Sequence, residues 1–406
     1  MRVLFTIQPG IGHFHAVGSL ARALQRDAHE VAFACAPSFC STVEATGFRS
    51  FSAGLDWLES DVDRTFPDIQ NLSLEQQTSW FVTNVFGGVA AERMAKDLLS
   101  LCASWKPDVV VREEFEFGGC LAAERLGIPH AAVSLGLFFA VGMWKSLIGK
   151  RINELRTDLG LPEDPGMEML YRYLNLSFAP PSYQFFESKA PIVFHSLRPT
   201  IFDRSGNERL PDWIKFLPKR PTVHATLGTV FANVKSVYLT IVEALVEEPV
   251  NLVITTGRNP LPKGFWPKAS NLYVERYIPH TLLLPHCDLV ISHGGAATTM
   301  CVLSHGLPMI LIPLSADQPF HAMRCSALGV ACVIKQPDQF GSYLFDRFYG
   351  ELSARSIRSA VKEILDNPKY KLSAERLRNE LLSLPGMERA TELLCKLAVE
   401  KKPQFT

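Results

Sequence analysis

The sequence has no surplus of charge of either sign. Over 406 residues, 41 Lys and Arg meet 41 Asp and Glu, so no net field draws the chain to nucleic acid or to an anionic membrane. Its nine cysteines include no Cys-x-x-Cys pair, which removes the common zinc and dithiol motifs; an odd number of thiols without such spacing fits a reducing cytoplasm. Long apolar runs are missing too. The opening run stops at Pro9 and Gly10, too short for the core of a secretory signal, and residues 135–144 fall short of the ~18 needed to span a bilayer. There is no low-complexity segment and no short-period repeat. What is present is 47% apolar and 20% charged residues, enough for buried sheets, at a length that predicts about two domains.

Short β-rich runs alternate with helical patterns, as in parallel sheets covered by helices. Strands are expected at 3–7, 30–35, 108–111, 131–134 and 192–194, with the first helix near 15–26. Residues 55–92 are rich in aromatics (Trp57, Phe66, Trp80, Phe81, Phe86) and read as irregular loops that carry specificity. Pro199, Pro211, Pro218 and Pro221 interrupt the pattern and predict a domain boundary. The alternation restarts with strands expected at 222–226, 250–255, 271–274, 288–292 and 309–312, whose Val- and Ile-rich runs suit strands buried on both faces. Ser353 is a good N-cap for a helix to Asp366, and helices are expected at 373–384 and 388–399.

The densest chemistry follows the run at 288–292. A strand there delivers His293-Gly294-Gly295 to the carboxyl edge of a parallel sheet, where such sheets bind ligands. A helix starting near Ala296 then offers free N–H groups and a positive dipole end, an anion site that two glycines let a phosphate approach closely. His293 and Thr298 can each donate a hydrogen bond to a phosphate. Asp317-Gln318, on the loop after the next strand, suit the hydroxyls of a sugar.

These residues carry a resemblance. From Tyr277-Ile278-Pro279-His280 through Gln318 the chain resembles the UDP-glycosyltransferase family, which includes plant flavonoid and bacterial macrolide glycosyltransferases. It departs from the family pattern at His280, where Gln is usual, at Ala297, where a third Gly is usual, and at His321, where Asn is usual. Gly12-His13 resembles the loop that presents a catalytic histidine, and residues 107–113 resemble a segment whose acidic residue, here Glu113, partners it; Glu114 and Glu116 lie close by, and His15 is a rival base. Thr226-Leu227-Gly228-Thr229 resembles a turn that touches the diphosphate.

The resemblance implies a GT-B fold, α/β, with two Rossmann-like doubly wound domains facing a central cleft. An acceptor-binding domain is expected at 1–205, a nucleotide-sugar-binding domain at 206–380, and a C-terminal helix at 381–406 packing back on the first. It implies an inverting transfer from a UDP- or dTDP-sugar to a hydroxyl of a small, largely apolar acceptor, with His13 as general base and Glu113 orienting it. The expected nucleotide-sugar contacts are Thr229, Arg258, Tyr277, Ile278, His280, His293, Gly294, Gly295, Ala297, Thr298, Asp317 and Gln318; the expected acceptor contacts are Phe14, Phe81, Phe138 and Trp144. No cofactor and no metal are expected. Asp61-Val62-Asp63 has the spacing of a manganese element of the other large glycosyltransferase fold but sits in a polar stretch. A sugar-nucleotide epimerase and a non-catalytic auxiliary homologue are the competing readings; the Gly12-His13 loop argues against the first, and retention of His13 and His293 against the second.

Overall fold

The computed structural model describes residues 1–72, 74–134, 136–185, 193–203, 208–228, 235–257, 264–335 and 350–406. The chain divides into two compact units, one formed by Met1–Phe202 with Leu384–Thr406 and the other by Asp203–Ser383.

Unit 1 is built on seven parallel strands: β1 (Arg2–Thr6), β2 (Glu30–Cys35), β3 (Arg49–Ser52), β4 (Val109–Glu113), β5 (His130–Ser134), β6 (Leu174–Ser177) and β7 (Phe194–Ser196), in the order β3-β2-β1-β4-β5-β6-β7. Every residue of β4 and β5 is buried, as is all of β2 after Glu30; such runs are stable only with helices on both faces. On one face the helix Ile11–Arg26 buries Phe14, Val17, Leu20, Ala21 and Leu24, one stripe of a 3.6-residue period. The helix Met387–Glu400 adds Met387, Ala390, Leu393, Leu394 and Leu397 to the same core. On the other face the helix Ala91–Trp105 sets Met94, Leu98, Cys102 and Trp105 against Leu4, Ala32 and Ala34.

Unit 2 repeats the plan with β8 (Thr222–Thr226), β9 (Asn251–Thr255), β10 (Leu272–Glu275), β11 (Leu289–Ser292), β12 (Met309–Leu311), β13 (Ala331–Lys335) and β14 (Gly350–Glu351), in the order β10-β9-β8-β11-β12-β13-β14. Val223, Ala225, Leu289, Ile291 and Ile310 face the helices Lys235–Leu245 and Ala354–Asp366. Ser353 caps the latter: its hydroxyl accepts from Ser356 N and its own N–H donates to Ser356 Oγ, both at 3.1 Å. In each sheet the strand order reverses once, between β1 and β4 and between β8 and β11, and there a crevice opens at the carboxyl edge of a doubly wound sheet.

Three expectations need correcting. The first helix starts at Ile11 and not near residue 15, so His13 lies in its first turn and not in a loop. Residues 55–92 are largely helical: short turns lead to the helix Leu74–Phe81, then a π-helical run, Val82–Ala90, feeds into Ala91–Trp105. Gly88 kinks that run (φ −109°, ψ −111°); the two glycines at 87 and 88 hid its helical period. The strand expected at 192–194 runs over Phe194–Ser196, and residue 192 lies outside the described residues. The edge strands β3 and β14 are short and partly exposed, so neither shows an apolar run in the sequence.

Candidate active site

In unit 1 the chain leaves β1 through Gln8-Pro9-Gly10 and enters the helix whose first turn carries His13, while β4 ends on Glu113, its neighbour in the sheet. Nδ1 of His13 lies 3.1 Å from Oε2 of Glu113. The Glu113 carboxylate is wholly buried and held in place: Oε2 accepts from Phe115 N at 2.9 Å and Oε1 from Gln8 N at 3.3 Å. This sets a carboxylate beside Nδ1 and leaves Nε2 on the opposite side of the ring.

The other two acidic residues of this stretch have different tasks. Glu116 accepts from the amides of Gly118 (2.7 Å) and Gly119 (2.8 Å), which open the helix Gly118–Leu126, and from Thr6 Oγ1 (2.5 Å). Burial pushes its carboxyl up. Glu114 is buried, and its carbonyl accepts from Arg112 Nη1 at 2.8 Å. His15 turns toward Phe202, with ring centroids 5.9 Å apart.

On the Nε2 side of His13 stands Glu59, Oε1 at 3.8 Å, a residue that sequence reasoning missed. The rings of Phe86 and Phe115 meet the imidazole edge-on, each at 5.9 Å. Phe81 joins this surround through Phe86 (4.9 Å) and Trp144 through Phe115 (5.6 Å). Phe138 packs further along, against Tyr171 (5.1 Å) and Phe194 (5.2 Å). Phe14 does not belong with them: it is buried in the core among Phe33, Phe39, Phe48 and Phe202, because adjacent helical residues point about 100° apart.

In unit 2, β8 and β11 deliver Gly228 and His293 to the same edge. Gly228 has φ +73°, a conformation L side chains rarely adopt, and a Cβ there would stand 2.7 Å from His293 Cε1. At Gly295 a Cβ would lie 2.6 Å from His293 Nε2, so the imidazole is packed between two backbones that only glycine allows to come so close. Gly295 is also the N-cap of the helix Ala296–Ser304. Its first intrahelical bond is Thr299 N to Gly295 O (2.9 Å), so the amides of Ala296, Ala297 and Thr298 precede the helical ladder.

Burial pushes the His293 imidazole down to about 4, with Asp317 opposing the shift and His280 and His321 adding to it. Asp317 lies 3.2 Å from Nε2 of His321. Gln318 is buried, and its Oε1 accepts from Leu314 N (2.7 Å) and Ser315 N (3.2 Å). That oxygen clamps its own loop, which turns through Ala316 at φ +58°. Ile278 is buried, whereas Tyr277 is half exposed and its hydroxyl donates to the carbonyl of Asp203. The Asp203 carboxylate accepts from Thr281 N (2.8 Å) and Thr281 Oγ1 (2.9 Å), fixing the turn that carries His280. The His280 ring faces that of His224 at 5.5 Å. His224, on β8, was also missed by sequence reasoning; it is fully buried, burial pushes it down to about 3, and Nε2 makes no hydrogen bond among the described residues. Thr229 and Arg258 lie outside the described residues, and among those described no group of three His, Cys, Asp or Glu side chains is arranged to hold a metal ion.

The sequence matches a family described as Erythromycin biosynthesis protein CIII-like, its N-terminal domain over residues 22–228 and its C-terminal domain over residues 267–397. The chain belongs to this family. The CIII-like chain is 28% identical to 4'-demethylrebeccamycin synthase of Lentzea aerocolonigenes, over 97% of this chain and 98% of that one. It is also 28% identical to aclacinomycin-T 2-deoxy-L-fucose transferase of Streptomyces galilaeus, over 99% and 97%. In structure it resembles the glycosyltransferase VinC, solved in complex with dTDP, with a TM-score of 0.73 at 23% identity over 98% of this chain and 100% of that one. The CIII-like protein is thus a glycosyltransferase with the two Rossmann-like domains of the GT-B fold. No helix of its described residues is long and apolar enough to cross a membrane.

Proposed function

We propose that this enzyme moves a sugar from a dTDP- or UDP-sugar to a hydroxyl of a small, largely apolar natural-product acceptor, with inversion and with His13 as general base. The observation that carries the reading is the His13–Glu113 pair, Nδ1 to Oε2 at 3.1 Å, at the point of unit 1 where the strand order reverses. The proton of the acceptor hydroxyl passes to Nε2 of His13, and the acceptor oxygen bonds to the anomeric carbon. The bond from that carbon to the diphosphate breaks, and its electron pair leaves with the diphosphate. Attack from the face opposite the nucleotide inverts the centre. Glu113 holds the ring and stabilises the imidazolium that forms.

Unit 1 supplies the acceptor half of this reaction and unit 2 the donor half. The amides of Ala296, Ala297 and Thr298 with the neutral His293 receive the developing negative charge in the role a divalent ion fills elsewhere. Asp317 and the Gln318 amide take the sugar, and the segment Tyr277–His280 takes the base. A dTDP donor is the first to try, because VinC binds dTDP and a named relative transfers a deoxysugar. The Phe81, Phe86, Phe115 and Trp144 surround supports an apolar acceptor. Nine cysteines, none of them in a disulfide, support a cytoplasmic setting.

The test is a screen of dTDP- and UDP-sugars against phenolic and macrolide acceptors, read by mass spectrometry. His13→Ala is expected to lower turnover roughly 10³-fold while dTDP affinity stays unchanged, and EDTA is expected to leave the rate alone. Full activity in His13→Ala, or a requirement for Mn²⁺, sinks the corresponding part of the reading.

A further inference from the structure

The position of Glu59 has no part in the mechanism above, and its geometry is specific. Its carboxylate lies 3.8 Å from Nε2 of His13, the nitrogen that takes the acceptor proton, on the side of the ring away from Glu113. It is brought there by a bond from Glu59 N to Pro9 O at 3.1 Å, which ties its short turn to the loop before the His13 helix. Space for it is provided by residue 10. A Cβ on Gly10 would sit 2.1 Å from Glu59 Oε2, although the backbone there (φ −134°, ψ 146°) suits any residue. Gly10 is thus a glycine for room and not for conformation. Gly10 is also the N-cap of the helix Ile11–Arg26, so the carboxylate rests at the amino end of a 16-residue helix.

We infer that Glu59 is a second carboxylate partner of the base, acting on Nε2 as Glu113 acts on Nδ1. The inference rests on the reading of His13 as the base. When the acceptor proton reaches Nε2, positive charge appears between two carboxylates, and Glu59, partly exposed, adds its attraction without occupying the Nδ1 position. Glu59 is a positioning residue: it tunes the nitrogen that reacts and need not touch the sugar. Glu113 on β4 and Glu59 on the turn face the imidazole; the same elements also carry Glu114, Glu116 and Asp61, and His15 lies further along the helix, toward Phe202. The π-helical run and the β1 loop contribute Phe86 and Gln8, which do not titrate.

The experiment is the pH profile of kcat/KM for the parent, Glu59→Gln and Glu59→Asp, with thermal melting and dTDP affinity as controls. Removing a negative charge beside Nε2 weakens the base. In Glu59→Gln the acid limb is therefore expected to move to lower pH by about one unit, and the plateau rate to fall about 10-fold, with melting and dTDP affinity unchanged. Glu59→Asp, which keeps the charge on a shorter stem, is expected to fall between. An acid limb that stays in place or moves up in Glu59→Gln, with His13→Ala inactive, overturns this inference alone. Full activity in His13→Ala overturns the base reading and this inference with it.

Discussion

The two units carry their candidate site residues at the same place in the same fold and surround them with opposite electrostatics. In unit 1 the imidazole of His13 stands between two carboxylates, at 3.1 and 3.8 Å. In unit 2 the imidazoles of His293, His280 and His224 are all held neutral by burial. In the proposed reaction the difference follows from what each half handles. On that proposal unit 1 prepares for a positive charge on His13 that does not yet exist, and carboxylates stabilise it when it forms. On the same proposal unit 2 receives a diphosphate that is already anionic, and it answers with backbone amides and neutral donors, which need no counter-ion of their own.

The contrast can be broken most directly at Gly228. Gly228→Ala places a Cβ 2.7 Å from the His293 ring in a left-handed conformation and is expected to weaken dTDP binding about 100-fold by calorimetry, a loss of ~3 kcal/mol. Affinity equal to the parent means that the glycine-packed imidazole is not part of the anion site.

Acid separates the units next. A histidine whose folded pKa is depressed binds its proton more readily unfolded, so the stability it permits is full above the ordinary value of about 6.5 and is lost as pH falls toward 4. Unit 2 is therefore expected to lose of the order of 3 kcal/mol across that window through His293 alone. Hydrogen exchange on peptides from β8 and β11 at pH 7 and pH 4.5 reads this loss, and His293→Asn should flatten it.

The smallest effect has the opposite sign. Burial raises the Glu116 carboxyl, so its contribution is full below the ordinary carboxylate range and is lost as pH rises through its folded value. Glu116→Gln is expected to cost unit 1 about 1 kcal/mol at low pH and to flatten that slope, seen as urea midpoints that converge with the parent's as pH rises. A parallel offset at every pH leaves Glu116 as a cap only.

The His293 site was legible because it is local: a strand, two glycines and a helix start lie within a dozen residues, and each step follows from backbone chemistry. The central strands were legible for the same reason, since burial on both faces writes unbroken apolar runs. Glu59 was not, because its contact with His13 spans 46 positions and is set by a turn with no periodic signal. Nor was His224, a polar residue on a buried strand whose partners, Val253 and His280, lie 29 and 56 positions further along the chain. Phe14 shows the converse hazard. It stands beside the base in sequence, and one helical step of rotation buries it in the core.

The chain leaves unit 1 after Phe202 and returns to it at Leu384. On returning it places five side chains of its last helix in that core, donates from Arg198 N to Pro385 O (2.8 Å), and pairs Gln404 N with Tyr173 O (2.7 Å). On the ribosome, this order inverts the usual sequence of assembly, in which the N-terminal part folds first. Unit 2 has every residue it needs once Ser383 has emerged, whereas unit 1, whose strands precede unit 2 in the chain, waits for the helix that follows it. The half that bears His13 is begun before unit 2 and completed after it.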